Sequence, residues 1–403
     1  MGFRRIRHDN FRNLENGEIN VDAREVFLVG ENGQGKTNLI ESIYVLCYGT
    51  SFRTRRENEI CRSGENEVAV TGEAASSEGE VQRIKYVWQR GKKQIELNDS
   101  PVRDRKELVE LLPCIPFAHD DINFVQGAPD MQRFFFDQTL SLYDPYFIDV
   151  LRSYRRVLRQ RNVVLKNQDE ELLPVYDDHL AAHGLAVQER RAEASTRFST
   201  TFSTLFAEVS GLAGELRIEY RPSWRAGGRV AGSGDGANGA AGVGVGDAAG
   251  PNIGAPPAAG SDPTDAPTAD AVREELERRR DHDRYMRTTT SGPHRDRFLF
   301  LWDGEDFTRI ASTGQVRLAS LLLRVAQAQF FSVQTDRKAV LLLDDVLLEL
   351  DPTRRARFLE VLPAYEQAFF TFLPDEHFTR FRKADTLLYR VANGSVLPYE
   401  ESR

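Results

Sequence analysis

Short apolar runs of strand length alternate with glycine and charged breaks over the first quarter of the chain. Residues 18–21 and 26–29 read as strands, and 81–88 with 94–97 read as the arms of a hairpin around Gly91, Lys92 and Lys93. Between them the spacing of Leu39, Ile40, Ile43 and Leu46 predicts a helix over 37–47, so the local order is strand, glycine-rich loop, helix. From 130 to 212 the period changes. Phe147, Val150, Leu151, Tyr154 and Leu158 recur at three and four, which predicts several antiparallel helices forming a second lobe against the mixed sheet. Further on, a charged helix is expected over 273–287, an apolar strand over 298–302 and a buried helix over 315–331. The run 339–343 is continuously apolar and suits a central parallel strand.

Composition alters this picture at one stretch. Residues 225–271 are mostly Gly, Ala, Pro, Asp and Ser, too little apolar surface to offset the entropy of ordering, so a disordered surface insertion is expected, with a functional tether as the alternative. The 403 residues, 40% hydrophobic, otherwise suffice for a large core in about two to three units. Lys and Arg number 53 against 61 Asp and Glu, a net charge of −8, so any nucleic-acid contact has to be a local patch. There is no stretch of about eighteen uncharged apolar residues, and no apolar run follows Arg4, Arg5 and Arg7. A cytoplasmic protein with no membrane partner is expected. Cys47, Cys61 and Cys114 lack metal-ligand spacing and read as reduced thiols.

The sharpest chemical signal is Gly30-Glu31-Asn32-Gly33-Gln34-Gly35-Lys36-Thr37, a G-x-x-x-x-G-K-[ST] phosphate loop between a strand and a helix. Chance supplies on the order of 0.004 such matches at this composition, so a mere glycine turn capping a helix is the weaker reading. Gly30, Asn32, Gly33, Gly35, Lys36, Thr37 and Asn38 are the expected binding residues: backbone N–H groups close on phosphate oxygens, Lys36 reaches the β and γ phosphates, and the Thr37 hydroxyl ligates Mg2+. Such a loop needs a carboxylate at the end of a buried strand. The run ending in Asp344 and Asp345 provides one, with Asp344 a second metal ligand and Asp345 the group that orients or deprotonates the attacking water; Lys36 and Asp345 are the expected catalytic pair. Alone, an acidic strand end could equally be a helix cap or turn.

Ser312-Thr313-Gly314-Gln315, followed by Arg317 and a buried helix, resembles the signature loop of ABC-type ATPases, although a plain helix cap has the same composition. Longer strings resemble the RecF family of DNA replication and repair proteins, within the SMC-like branch. They are Asn10-Phe11-Arg12-Asn13-Leu14; Gly127-Ala128-Pro129 with Arg133 and Asp137; Tyr154-Arg155-Arg156-Val157-Leu158-Arg159-Gln160-Arg161-Asn162; Gly292-Pro293-His294-Arg295-Asp296; and Leu342-Leu343-Asp344-Asp345-Val346 with Glu349-Leu350-Asp351. The resemblance implies an α/β fold: an ABC-type P-loop ATPase lobe built from both chain ends, 1–115 and 291–403, with an inserted α-helical lobe over 116–290. It also implies a homodimer closing on two ATP molecules, with Ser312, Gly314 and Gln315 facing the γ-phosphate held by the other copy and Asp351 in the loop that crosses the interface. Slow DNA-stimulated hydrolysis would release the DNA, whether single-stranded, duplex or gapped, in recombinational repair, replication and the SOS response, with RecR and RecO as mediators. The chain departs from the family pattern at His119-Asp120-Asp121-Ile122, where Pro-Glu-Asp-Leu is usual and a water or metal contact is expected, at Arg297, and at Leu348, where a small polar residue is usual.

For DNA contact, Arg152, Arg155, Arg156, Arg159, Arg161 and Lys166 make one basic patch, and Arg53, Arg55 and Arg56 another; a solvated basic face or ion pairing is the alternative. Arg53 can equally belong to the nucleotide site. His294 and Arg295 either organise the pocket or fix a loop at the lobe junction, the latter being the commoner use of such residues. Two other functional classes fit parts of the chain: an ATPase energising a transporter, and a nucleotide-binding scaffold that has lost turnover.

Overall fold

The computed structural model describes residues 1–76, 78–225, 266–376 and 378–399. Strands β1 (Gly2–Asp9), β2 (Gly17–Asn20) and β3 (Glu25–Val29) precede helix α1 (Lys36–Tyr48). Next come β4 (Glu67–Ala75), β5 (Val81–Gln89), β6 (Lys92–Leu97), β7 (Ser100–Pro101), α2 (Lys106–Leu111) and β8 (Cys114–Phe117). The helical stretch comprises α3 (Asn123–Gln126), α4 (Pro129–Tyr143), α5 (Tyr146–Asn167) and α6 (Leu173–Ser210), followed by β9 (Leu216–Arg221), α7 (Ala269–Arg278) and α8 (Arg280–Met286). The chain then forms β10 (Arg297–Trp302), β11 (Glu305–Asp306), α9 (Phe307–Ile310), α10 (Thr313–Thr335) and β12 (Val340–Leu343). It ends with α11 (Pro352–Glu360), β13 (Gln367–Phe372), β14 (Thr386–Ala392) and β15 (Ser395–Pro398).

An antiparallel sheet runs β2-β1-β4-β5-β6-β7. Phe3 and Ile6 are both buried although three apart, because the register of β1 against β4 shifts between Phe3 and Arg5; a bulge restores the inward face. At the β5–β6 hairpin, Arg90 and Gly91 both have positive φ, the tight turn whose twist matches that of the strands. Lys92 and Lys93 are therefore strand residues rather than turn residues. A second sheet runs β15-β14-β3-β13-β12-β8, parallel except at β15. Every residue of β3, β8, β12 and β13 is buried, as apolar strands covered on both faces must be. This sheet takes strands from both chain ends, which is the expected architecture of the ATPase lobe. β9, β10 and β11 form a small third sheet.

The described chain divides into two compact units, Met1–Asp149 with Arg191–Tyr220 and Phe298–Arg403, and Val150–Arg190 with Arg221–Arg297. The helical lobe expected over 116–290 is therefore narrower at its start and interrupted. α4 and the second half of α6 count with the first unit because their phenylalanines are part of its core: Phe136 stacks on Phe298 at 3.8 Å between ring centroids, Phe198 meets Phe330, and Phe202 meets Phe300.

Within the second unit, Arg161 is fully buried. Its guanidinium donates to Asp177 (2.7 Å), Asp283 (2.7 Å) and Thr289 (2.9 Å), while Arg280 holds the other oxygen of Asp177 (3.0 Å). Arg161 thus leaves the basic patch proposed for DNA, since a buried charge has to be paired in place. His294 accepts from Tyr154 Oη at Nδ1 (2.6 Å) and donates from Nε2 to the Thr289 carbonyl (2.9 Å), the loop-fixing use. The charged helix expected over 273–287 is broken at Arg279 into α7 and α8, and α7 begins at Ala269, capped by Thr268. Most of the Gly/Ala/Pro-rich stretch, 226–265, lies outside the described residues. Among the described residues, no helix is long and apolar enough to cross a membrane, no cluster of metal-ligating side chains forms, and the cysteines are free.

Candidate functional site

β3 ends at Val29 and α1 starts at Lys36, so residues 30–35 must turn within one short loop at the carboxyl end of a parallel strand. The glycines make that turn feasible. A Cβ on Gly30 would stand 2.2 Å from the Val391 carbonyl oxygen, and Gly35 has φ +118°, so neither position accepts a side chain without rearrangement. Gln34 anchors the loop to the β14–β15 turn by accepting from Asn393 N (2.6 Å) and, through its carbonyl, from Gly394 N (2.8 Å). Gly33 has φ +77° and open space beside it.

Lys36 is buried, and its ammonium donates to the carbonyls of Gly30 (2.7 Å) and Glu31 (3.3 Å), with Asp345 Oδ1 3.8 Å away. Thr37 donates from Oγ1 to Asp344 Oδ1 at 3.0 Å, across 307 positions of sequence. β12 delivers both acids to this point, and Asp345 adopts φ +52°, which turns the chain away immediately after the strand. Thr371 ties them together: its hydroxyl accepts from Asp345 N (2.6 Å) and lies 2.9 Å from Asp345 Oδ1 and 3.3 Å from Asp344 Oδ1. Thr371 lies outside the sequence motifs. The signal for it was a single hydroxyl inside the otherwise apolar end of β13. Burial, and then the charge of Asp345, push the Asp344 carboxyl up to about 6, opposed by the hydrogen bonds from Thr37 and Thr371 and by Lys36.

A cavity of about 270 Å³ opens over this arrangement, lined by Glu31, Asn32, Gly33, Gly35, Lys36, Thr37 and Asn38 with Arg53 and Asp345. The loop and the acidic strand end therefore meet, and of the two roles open to Arg53 the structure places it at this cavity. Ser312, Gly314 and Gln315 are elsewhere in the chain. Ser312 caps α10, its Oγ accepting from Gln315 N (3.3 Å) while Gln315 Oε1 accepts from Ser312 N (2.7 Å); Ser312 and Gly314 are exposed. Asp351 is likewise an exposed helix cap, accepting from Thr353 N and Arg354 N (both 3.0 Å), and the Arg354 hydrogen bond heads the causes that lower its carboxyl. In the 119–122 turn, Asp121 is buried and accepts from Ala118 N (2.9 Å) and Arg324 (2.8 Å), whose guanidinium covers the Phe124 ring. That makes Asp121 a fastening of the turn. Arg152, Arg155, Arg156, Arg159 and Lys166 are exposed along α5, as are Arg55 and Arg56.

The RecF/RecN/SMC N terminal domain family matches residues 3–394. The DNA replication and repair protein RecF of Treponema pallidum (strain Nichols) is 37% identical over 391 residues, covering 96% of this chain and 98% of that protein. The protein of the same name from Symbiobacterium thermophilum is 31% identical, covering 96% of each chain. Among solved structures, the recombination mediator protein RecF-ATP in the RecFOR pathway is similar at a TM-score of 0.79 and 26% identity, covering 99% of this chain and 98% of that one. An SMC head bound to the C-winged helix domain of ScpA, 13% identical with a TM-score of 0.55 over 100% of this chain and 98% of that one, shares the fold. With the family match spanning almost the whole sequence and the phosphate loop closed against the acidic end of β12, the chain belongs to the RecF family and has the ABC-type ATPase fold of RecF and SMC heads.

Proposed function

We propose that the chain is an ATP-dependent DNA-binding protein of recombinational repair and replication restart, which dimerises on ATP at gapped or junction DNA and lets go after slow, DNA-stimulated hydrolysis. The observation that carries this reading is the Thr37–Asp344 hydrogen bond, which joins the phosphate loop to the acidic strand beside a buried lysine held by loop carbonyls and a distant carboxylate. The relatives named as DNA replication and repair proteins, and the similar structure described as RecF-ATP, support it.

In this reading the backbone N–H groups around Gly33 and the start of α1 take the phosphates, and Lys36 exchanges its carbonyl partners for phosphate oxygens. Thr37 and Asp344 are the hydroxyl and carboxylate pair that would hold Mg2+, whose charge would offset the phosphates; hard oxygen donors and a carboxyl with an unfavourable charged neighbour suit such a cation. Asp345 holds the attacking water in line with the γ-phosphate and takes its proton. Ser312, Gly314 and Gln315 offer the N-terminus of α10 to the nucleotide of a second copy. A Cβ on Gly314 would meet nothing within 4 Å, so packing within the chain gives no reason for a glycine there. Arg152, Arg155, Arg156, Arg159 and Lys166 would contact DNA phosphates without reading sequence. RecR and RecO are the partners suggested by the RecFOR pathway of the similar structure.

The test is binding to duplex, single-stranded and gapped DNA, with and without ATP, at two salt concentrations, for the wild type and Lys36→Ala. ATP should tighten binding to gapped DNA and promote dimers only in the wild type, and DNA binding indifferent to nucleotide overturns the proposal. Phosphate release in the presence of ATP and gapped DNA separates it from a scaffold without turnover, a reading that Leu348, in place of the usual small polar residue, permits.

A further inference from the structure

One side of the nucleotide cavity is built on a carboxylate that belongs neither to the phosphate loop nor to the acidic strand. Glu41 lies on α1, five positions after Lys36, and its side chain has no exposure at all. Burying a carboxylate completely is costly unless its oxygens are occupied, and here they are. Arg12 donates to both, from Nε at 3.0 Å and Nη2 at 2.8 Å; Ser51 donates from Oγ at 2.5 Å; and Arg53 donates from Nη1 at 3.2 Å. The same Nη1 of Arg53 donates to Asn38 Oδ1 at 2.7 Å.

The two arginines are not equivalent. Arg12 spends two nitrogens on the carboxylate in a bidentate pair, the stronger geometry. Arg53 is held by a single nitrogen and lines the cavity, and among the described residues its Nε and Nη2 make no hydrogen bond to protein. One carboxylate shared by two guanidiniums also leaves a net positive charge at that place. Arg53 stands in a segment without helix or strand, where a long side chain would otherwise sample many rotamers.

We propose that Glu41 is a positioning residue for the nucleotide's phosphates: by gripping one nitrogen of Arg53 it holds the remaining guanidinium donors ready for an anion in the cavity. This rests on the reading of the cavity as a triphosphate site. Its partner chemistry is a polyphosphate tail, and its contribution is preorganisation rather than contact.

The experiment is a double-mutant cycle read as equilibrium binding of ATP, with Glu41→Gln, Arg53→Ala and the pair, each checked for folding by thermal unfolding. Glu41→Gln and Arg53→Ala should each weaken ATP binding about tenfold, the worth of one charge-assisted hydrogen bond, and the double variant should bind no more weakly than Arg53→Ala alone. The gap should narrow as salt is raised, which a packing defect would not do. Losses that add in the double variant, or a Glu41→Gln protein that binds ATP like the wild type, overturn the proposal. If Glu41→Gln does not fold, Glu41→Asp takes its place in the same cycle: it keeps the charge and shortens the reach, and the same non-additivity is required. Lys36→Ala serves as the control for the underlying reading, since normal ATP binding in that variant removes the triphosphate site itself, whatever the Glu41 cycle shows.

Discussion

The two ends of the parallel sheet handle buried polar groups in opposite ways. At the amino ends of β3, β13 and β14 every such group is closed off. Glu25 accepts from Tyr365 and Lys383 on one oxygen and from Thr386 (3.2 Å) on the other. Gln367 accepts from Phe3 N (2.8 Å) and donates to the carbonyls of Phe3, Val21 and Ala23 (2.9, 2.6 and 2.9 Å), stitching β1 and the β2–β3 connection to the sheet. At the carboxyl ends, Asp344 and Asp345 share one threonine hydroxyl, and the nearest cation bonds to loop carbonyls. One end spends its polar groups on holding the chain together, whereas the other leaves like charges beside each other and a cavity above them. Ligand sites in open α/β sheets lie at carboxyl strand ends, and functional sites commonly trade stability for activity.

Substitutions should separate the two ends. Gln367→Leu strands several buried backbone groups and should cost about 4 kcal/mol of unfolding free energy in urea titrations, with ATP affinity of the folded fraction unchanged. Lys36→Ala should do the reverse, weakening ATP binding by at least about a hundredfold, about 2.7 kcal/mol, while unfolding stays close to wild type. If Lys36→Ala lost stability and kept affinity, the contrast would be wrong.

A buried group away from both ends gives a test by pH. His8 donates from Nε2 to Ser42 Oγ (2.8 Å), which donates to the Leu39 carbonyl (2.7 Å), and burial lowers the His8 imidazole from 6.5 to about 4. The unfolded chain therefore binds a proton that the folded one refuses, so this contribution is present above pH 6.5 and is lost as pH falls toward 4. Between pH 7 and 5 the loss should be about 2 kcal/mol. Asp344, raised to about 6, works in the other direction over that range, gaining stability as it protonates. The readout is accordingly the difference between wild type and His8→Gln, whose profile should lack the His8 contribution; parallel profiles would show that His8 does not titrate this way. The smallest effect on stability is expected at Asp345→Asn, which relieves Asp344 by about 0.5 kcal/mol, modest because the Asp345 side chain is 34% exposed, although the variant should stop phosphate release.

Much of this was readable from the chain, and the exceptions share a cause. The phosphate loop and the acidic end of β12 are local patterns whose residue types are required by the chemistry, so their identity survives without knowledge of the fold. By charge alone Arg161 belongs to a basic face, because five other cations stand near it on α5. Yet it falls three to four positions from Val157, Val164 and Leu165, on the buried stripe that also carries Phe147, Leu151 and Tyr154. The stripe was the better guide, because helical periodicity decides which side chains go inside before charge is considered. Thr371, Glu25 and Gln367 were missed for a related reason: a lone polar residue in an apolar strand finds its partners on other strands, and no local pattern names them.

The amino-acid order alone determined the strand–loop–helix unit, the acids that complete it and the division into sheet-rich and helical regions, because each follows from residue type and short-range period. Tertiary folding decided that Thr37 and Asp344 touch, that Arg161 is sealed inside, that Glu41 serves two arginines, and that half of α6 belongs to the first unit's core. Those outcomes depend on contacts between segments far apart in the chain, where packing and the need to pair every buried charge select one arrangement that no single segment encodes.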